Sequence, residues 1–98
     1  MNRFEAAVAA ALDSIPARFQ PYLENIEFLI AESSAEGLLG LYEGATALDE
    51  DWRGRITIYK APHEADAKDW GALVQEVRRT ILHEVGHHFG MEEEELPY

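Results

Sequence analysis

Ninety-eight residues, 47% of them apolar, suffice for one small core and are too hydrophobic for a chain expected to stay disordered. Nineteen acidic residues against eight basic ones give a formal charge of −11, which repels polyanions and argues against nucleic acid as substrate or partner. The chain holds no cysteine, which excludes disulfides and thiolate-ligated metal, and with the latter a deformylase-like site.

The opening Met1-Asn2-Arg3-Phe4-Glu5 lacks the charged start and unbroken apolar stretch of a signal peptide. No apolar run approaches transmembrane length either. A cytoplasmic location without a membrane partner is therefore expected. Residues 3–13 place Phe4, Val8, Ala11 and Leu12 at helical spacing and predict an amphipathic helix. Pro16 ends it, and Pro21 confines any second short helix to Ala17–Leu23. The apolar run Ile26–Ala31, bounded by Asn25 and by Ser33 and Ser34, predicts a strand. Residues 38–43, between Gly37 and Gly44, predict a second, and residues 45–54 read as an acid-rich loop.

Residues 55–60 alternate cleanly, Ile56 and Ile58 on one face and Thr57 and Tyr59 on the other, and predict a third strand. Pro62 stops it. The last element is a proline-free helix over residues 70–89, with Asp69 as its N-cap. No repeat or linker interrupts the sequence, so residues 1–98 read as one domain.

The last helix carries His83-Glu84-Val85-Gly86-His87, a complete HExxH motif. Residues four apart lie about 40° apart around a helix, so both imidazoles can face one ion. Glu84 between them is placed to take a proton from a zinc-bound water and pass it to a leaving amine. The spacing continues through Gly90 to Glu93, as in metzincin-type sites but with a carboxylate where a third histidine usually stands. The apolar arc of the helix comprises Leu73, Val74, Val77, Ile81, Leu82, Val85 and Phe89, and it is predicted to pack on the sheet. His83, His87, Thr80 and Glu76 fall on its margin, within about 60° of the direction of His83. Glu84 lies just inside the edge of the arc. His88, about 140° from His83, belongs to the apolar side and reads as a packing residue.

Hydrolytic zinc needs three protein ligands and one open position. Eleven residues follow His87, too few for a ligand on another downstream helix. Glu93 is the leading candidate, after a chain reversal at Gly90. Glu92, Glu94 and Glu95 are alternatives, as are His63, Asp66, Asp49 and Asp51 upstream. The bland reading of the glutamate run is a solvated tail. Tyr98, Tyr59 and His63 are candidates to stabilise an oxyanion. Residues 55–60 are a candidate edge strand for an extended substrate, with an ordinary sheet strand as the alternative.

The run EVRRTILHEVGHHFGMEEEEL over residues 76–96, with LLGLYEG at 38–44 and RITIYK at 55–60, resembles the minimal zincin-like metallopeptidases, small bacterial domains. The resemblance covers most of residues 20–96 and is specific in the last third. It implies an α+β fold: an N-terminal helix and a small mixed sheet of about three strands packed against the C-terminal HExxH helix. It also implies a zinc-dependent peptidase acting on peptide or protein substrates, with His83 and His87 as metal ligands and Glu84 as general base. The acids at Glu92 to Glu94 match the region of the third ligand. The chain departs from the pattern in ending at Tyr98 and in having no later methionine turn, since Met91 comes too early.

Two other functions fit parts of the pattern. A zinc-stabilised binding or regulatory module without turnover suits a domain with little room for subsites. A metal-dependent endoribonuclease shares the register of His83, His87 and position 93, but Glu84 and the acidic balance oppose it. Zinc suits two imidazoles and a carboxylate, and manganese, iron or nickel accept the same ligands. Substrate preference and oligomeric state leave no mark in the sequence.

Overall fold

The computed structural model describes residues 2–44 and 54–89. Helix α1 spans Arg3–Asp13, where Phe4, Ala7, Val8 and Ala11 fall on one buried stripe. The Asn2 side chain accepts from the Glu5 main-chain N–H at 2.8 Å, which caps its first turn. At the far end Gln20 Nε2 donates to the carbonyls of Leu12 and Ile15, at 3.1 and 2.9 Å. These bonds tie the helix exit to a 3₁₀ turn over Ala17–Leu23.

Strands β1 (Ile26–Ala31), β2 (Gly40–Gly44) and β3 (Gly54–Tyr59) form one mixed sheet in the order β1-β3-β2. β1 runs parallel to β3 and β2 antiparallel to it, with Phe28 and Tyr42 both opposite Ile56. The alternation read in residues 55–60 thus marks the centre of the sheet. Ile56 and Ile58 are fully buried because the face they share is covered by the core residues of α1 and the last helix, while β3 itself is flanked by strands on both sides. This corrects the expectation of an edge strand there: the β3 backbone is already paired with β1 and β2. Among the described residues the edge beside the last helix belongs to β2.

β2 begins later than residue 38. A turn closed by Gly37 N–H to the Ser34 carbonyl needs the left-handed backbone of Gly37, at φ 71°. The Ser34 hydroxyl then takes the Leu38 N–H at 2.7 Å, removing it from the ladder.

Helix α2 (Lys60–Asp66) follows β3 directly. β3 ends at Tyr59, before Pro62, which lies in the first turn of a helix, where a missing N–H costs nothing. Helix α3 (Trp70–His88) starts at Asp69, whose carboxylate accepts from Ala72 N–H at 2.8 Å, and ends at Phe89. It packs against α1 and against β2 and β3. Leu73, Val77 and Ile81 meet Phe4, Val8, Ile26, Ile56 and Ile58 in a continuous core.

The fold is therefore α+β: an N-terminal helix, a three-stranded mixed sheet and a long C-terminal helix laid against it. Among the described residues no helix is long and apolar enough to cross a membrane.

Candidate active site

The C-terminal half of α3 faces three different neighbours. His83 and His87 leave one side, half-buried, with ring centroids 5.1 Å apart and planes at 77°. Their four-residue spacing sets the rings side by side on successive turns, edge to face.

Glu84 and Thr80 lie on the side next to the sheet edge. A β-carbon placed on Gly40 would stand 2.7 Å from Thr80 Cγ2 and 3.3 Å from Glu84 Cγ. Only a residue without a side chain lets β2 lie this close to the helix. The Glu84 side chain thus starts out at the seam between α3 and the β2 edge, one residue after His83.

Thr80 is held from behind. Its hydroxyl lies 2.8 Å from Nε2 of His63, and Nδ1 of His63 lies 2.6 Å from the Tyr59 carbonyl. A carbonyl only accepts, so Nδ1 carries the ring proton and Nε2 accepts from the Thr80 hydroxyl. His63 is 1% exposed, with its ring against Phe4. Both ring nitrogens are occupied and no water reaches them. His63 is thus neither a metal ligand nor an oxyanion donor, as the sequence had allowed, but a buried strut between the end of β3 and α3. Tyr59 is buried at that junction, its carbonyl taken by His63.

His88 faces the third neighbour. Its Nδ1 lies 2.8 Å from the Tyr42 hydroxyl, with the rings edge to face at 5.5 Å. Burial lowers the His88 pKa and raises that of Tyr42. Both shifts favour the neutral pair. Gly54 makes room, since a β-carbon there would stand 2.5 Å from that Nδ1. His88 is a packing residue, as its position on the apolar arc suggested.

Among the described residues no group of three or more His, Cys, Asp or Glu is arranged to hold a metal ion. Asp66, exposed at the end of α2, does not join His83 and His87. Glu93, its neighbours Glu92, Glu94 and Glu95, the pair Asp49 and Asp51, and Tyr98 lie outside the described residues.

Sequence reading passed over Gly40, Tyr42 and Gly54. A glycine inside a β-favouring run is the available signal for Gly40, because it often marks a close backbone approach. Tyr42 and Gly54 carried no such mark.

The family model of the zincin-like metallopeptidases matches residues 22–98, taking in the sheet, α2 and α3. No curated protein matches the sequence.

Proposed function

Because the chain belongs to the zincin-like metallopeptidase family, we propose that it is a zinc-dependent peptidase with Glu84 as general base. His83 and His87 are two of the metal ligands and Glu93 is the third. The observation that supports this reading is the position of Glu84, beside the paired imidazoles and against the edge strand β2 at Gly40.

The donor set suits the metal. Two imidazoles on successive turns, in a chain without thiols, match a site of two histidines and one carboxylate. When bound, zinc supplies Lewis acidity, which brings a coordinated water toward a pKa of about 7.

The chain's own residues do the rest. Glu84 accepts a proton from the attacking water at its carboxylate and returns it to the leaving amine. Among the described residues β2 pairs only with β3, so its outer edge offers main-chain groups to an extended peptide. A peptide added there runs past Gly40 and so past Glu84.

The test is metal content of protein purified without chelator, together with a peptide-library screen. About one zinc per chain is expected in the parent, lost in His87→Ala and weakened in Glu93→Ala. Glu84→Gln should keep the metal and lose roughly 10²- to 10⁴-fold in turnover. A parent that binds zinc and cleaves nothing in the library would instead be a binding module.

A further inference from the structure

We propose that Gly40 and Thr80 form a matched pair that sets the distance between the β2 edge and the Glu84 carboxylate. Both are positioning residues and not catalytic ones. The proposal rests on the reading of Glu84 as general base and of β2 as the substrate's edge.

Thr80 precedes Glu84 by one turn, so the two side chains form a ridge on one side of α3. With its hydroxyl 2.8 Å from His63 Nε2, the side chain of Thr80 is fixed in direction, and its Cγ2 methyl turns toward β2. His63 is itself anchored on the Tyr59 carbonyl, where β3 ends. The methyl is thus referenced to the central strand, and β2 comes to rest against it.

The fit is close. A β-carbon on Gly40 would be 2.7 Å from Thr80 Cγ2, nearer than van der Waals contact allows, and 3.3 Å from Glu84 Cγ. Any side chain at position 40 therefore pushes the edge strand off the ridge, or the ridge off the strand. A serine at position 80 keeps the hydroxyl for His63 and removes the methyl, opening room of about the size that an alanine at position 40 fills. The two positions are expected to be coupled, each change compensating the other.

The experiment is a double-mutant cycle of Gly40→Ala, Thr80→Ser and the pair together, on zinc-loaded full-length protein well below its melting temperature. Three quantities are read: zinc bound per chain, kcat and KM on the best library peptide, and nuclear Overhauser contacts from residue 40 to the Glu84 γ-protons. Gly40→Ala should keep its zinc and its KM and lose roughly tenfold to 100-fold in kcat, the scale of a misplacement near 1 Å. Its contacts to Glu84 should weaken. Thr80→Ser should lose roughly threefold, and the double variant should recover both contacts and kcat beyond the Gly40→Ala level.

Additive losses, or a Gly40→Ala protein with the parent's kcat and contacts, would overturn the proposal. A kcat loss that tracks zinc loss would also overturn it, since the proposal places the effect at Glu84 and not at the metal histidines. Should Gly40→Ala fail to fold, Thr80→Ser against the double variant still reads the compensation. A parent that hydrolyses nothing while the Overhauser contacts follow the cycle sinks the peptidase reading and leaves the spacing role standing.

Discussion

His87 and His88 leave α3 about 100° apart, so one ring meets His83 while the next turns to Tyr42 and Gly54. The second arrangement depends on a missing side chain. At Gly54 a β-carbon would stand 2.5 Å from His88 Nδ1 and 2.7 Å from Tyr42 Cε2. Both rings are half-buried and bonded to each other, so neither yields cheaply. Gly54→Ala should therefore destabilise the fold by about 1–3 kcal/mol through overpacking. Gly71→Ala is the control: only the Asp69 carboxylate comes near, at 3.5 Å, and alanine in a helix should be neutral or stabilising by up to about 1 kcal/mol. Urea midpoints of the two variants decide it, and equal midpoints would mean that the Tyr42–His88 contact gives way without cost.

α3 joins a cap, a core stripe and the motif in one element, so its first turn bears on its last. Asp69 stops three orphan N–H groups from becoming four, by accepting from Ala72. Asp69→Ala should cost about 1 kcal/mol and Asp69→Asn much less, measured by thermal unfolding. This element was legible because its signals are local: cap, apolar spacing and the absence of proline over nineteen residues. The bounds of α1 and β1 were legible for the same reason. Elements decided by tertiary pairing were not. The clean alternation of Ile56 and Ile58 says that a face is buried, but not whether the strand has one neighbour or two. Pro62 reads equally as a stop or as a first-turn residue until the partner of the preceding N–H is known. At the site, the helical period of His83 and His87 predicted adjacent rings. The same period left the buried strut of His63 and Thr80 invisible, because those residues meet only through the packing of α2 on α3.

At the scale of the whole molecule, 98 residues bury a core of modest size, and a formal charge of −11 works against compaction. Such a fold is held by a small margin, so one tightly bound cation changes it measurably. On the proposed reading, a metal on His83 and His87 with Glu93 as third ligand would join the end of α3 to the acidic segment after it, and would bring positive charge to an overcharged chain. Chelated protein should accordingly melt lower than zinc-loaded protein. At free zinc near one hundred times the dissociation constant, the added stability is about 2.7 kcal/mol by mass action. For a domain of this length that corresponds to a rise in melting temperature of roughly 10–20 °C. The rise should vanish in His87→Ala and shrink in Glu93→Ala, while Glu84→Gln should keep it, because Glu84 is assigned to the proton and not to the ion. Raising the salt concentration separates the two contributions. Salt screens the general repulsion among surface acids and should lift the chelated protein toward the loaded one, whereas the ligand bonds are short and survive it. A zinc-dependent rise that disappears entirely in high salt would mean that the cation acts through charge alone, and would take Glu93 out of the ligand set.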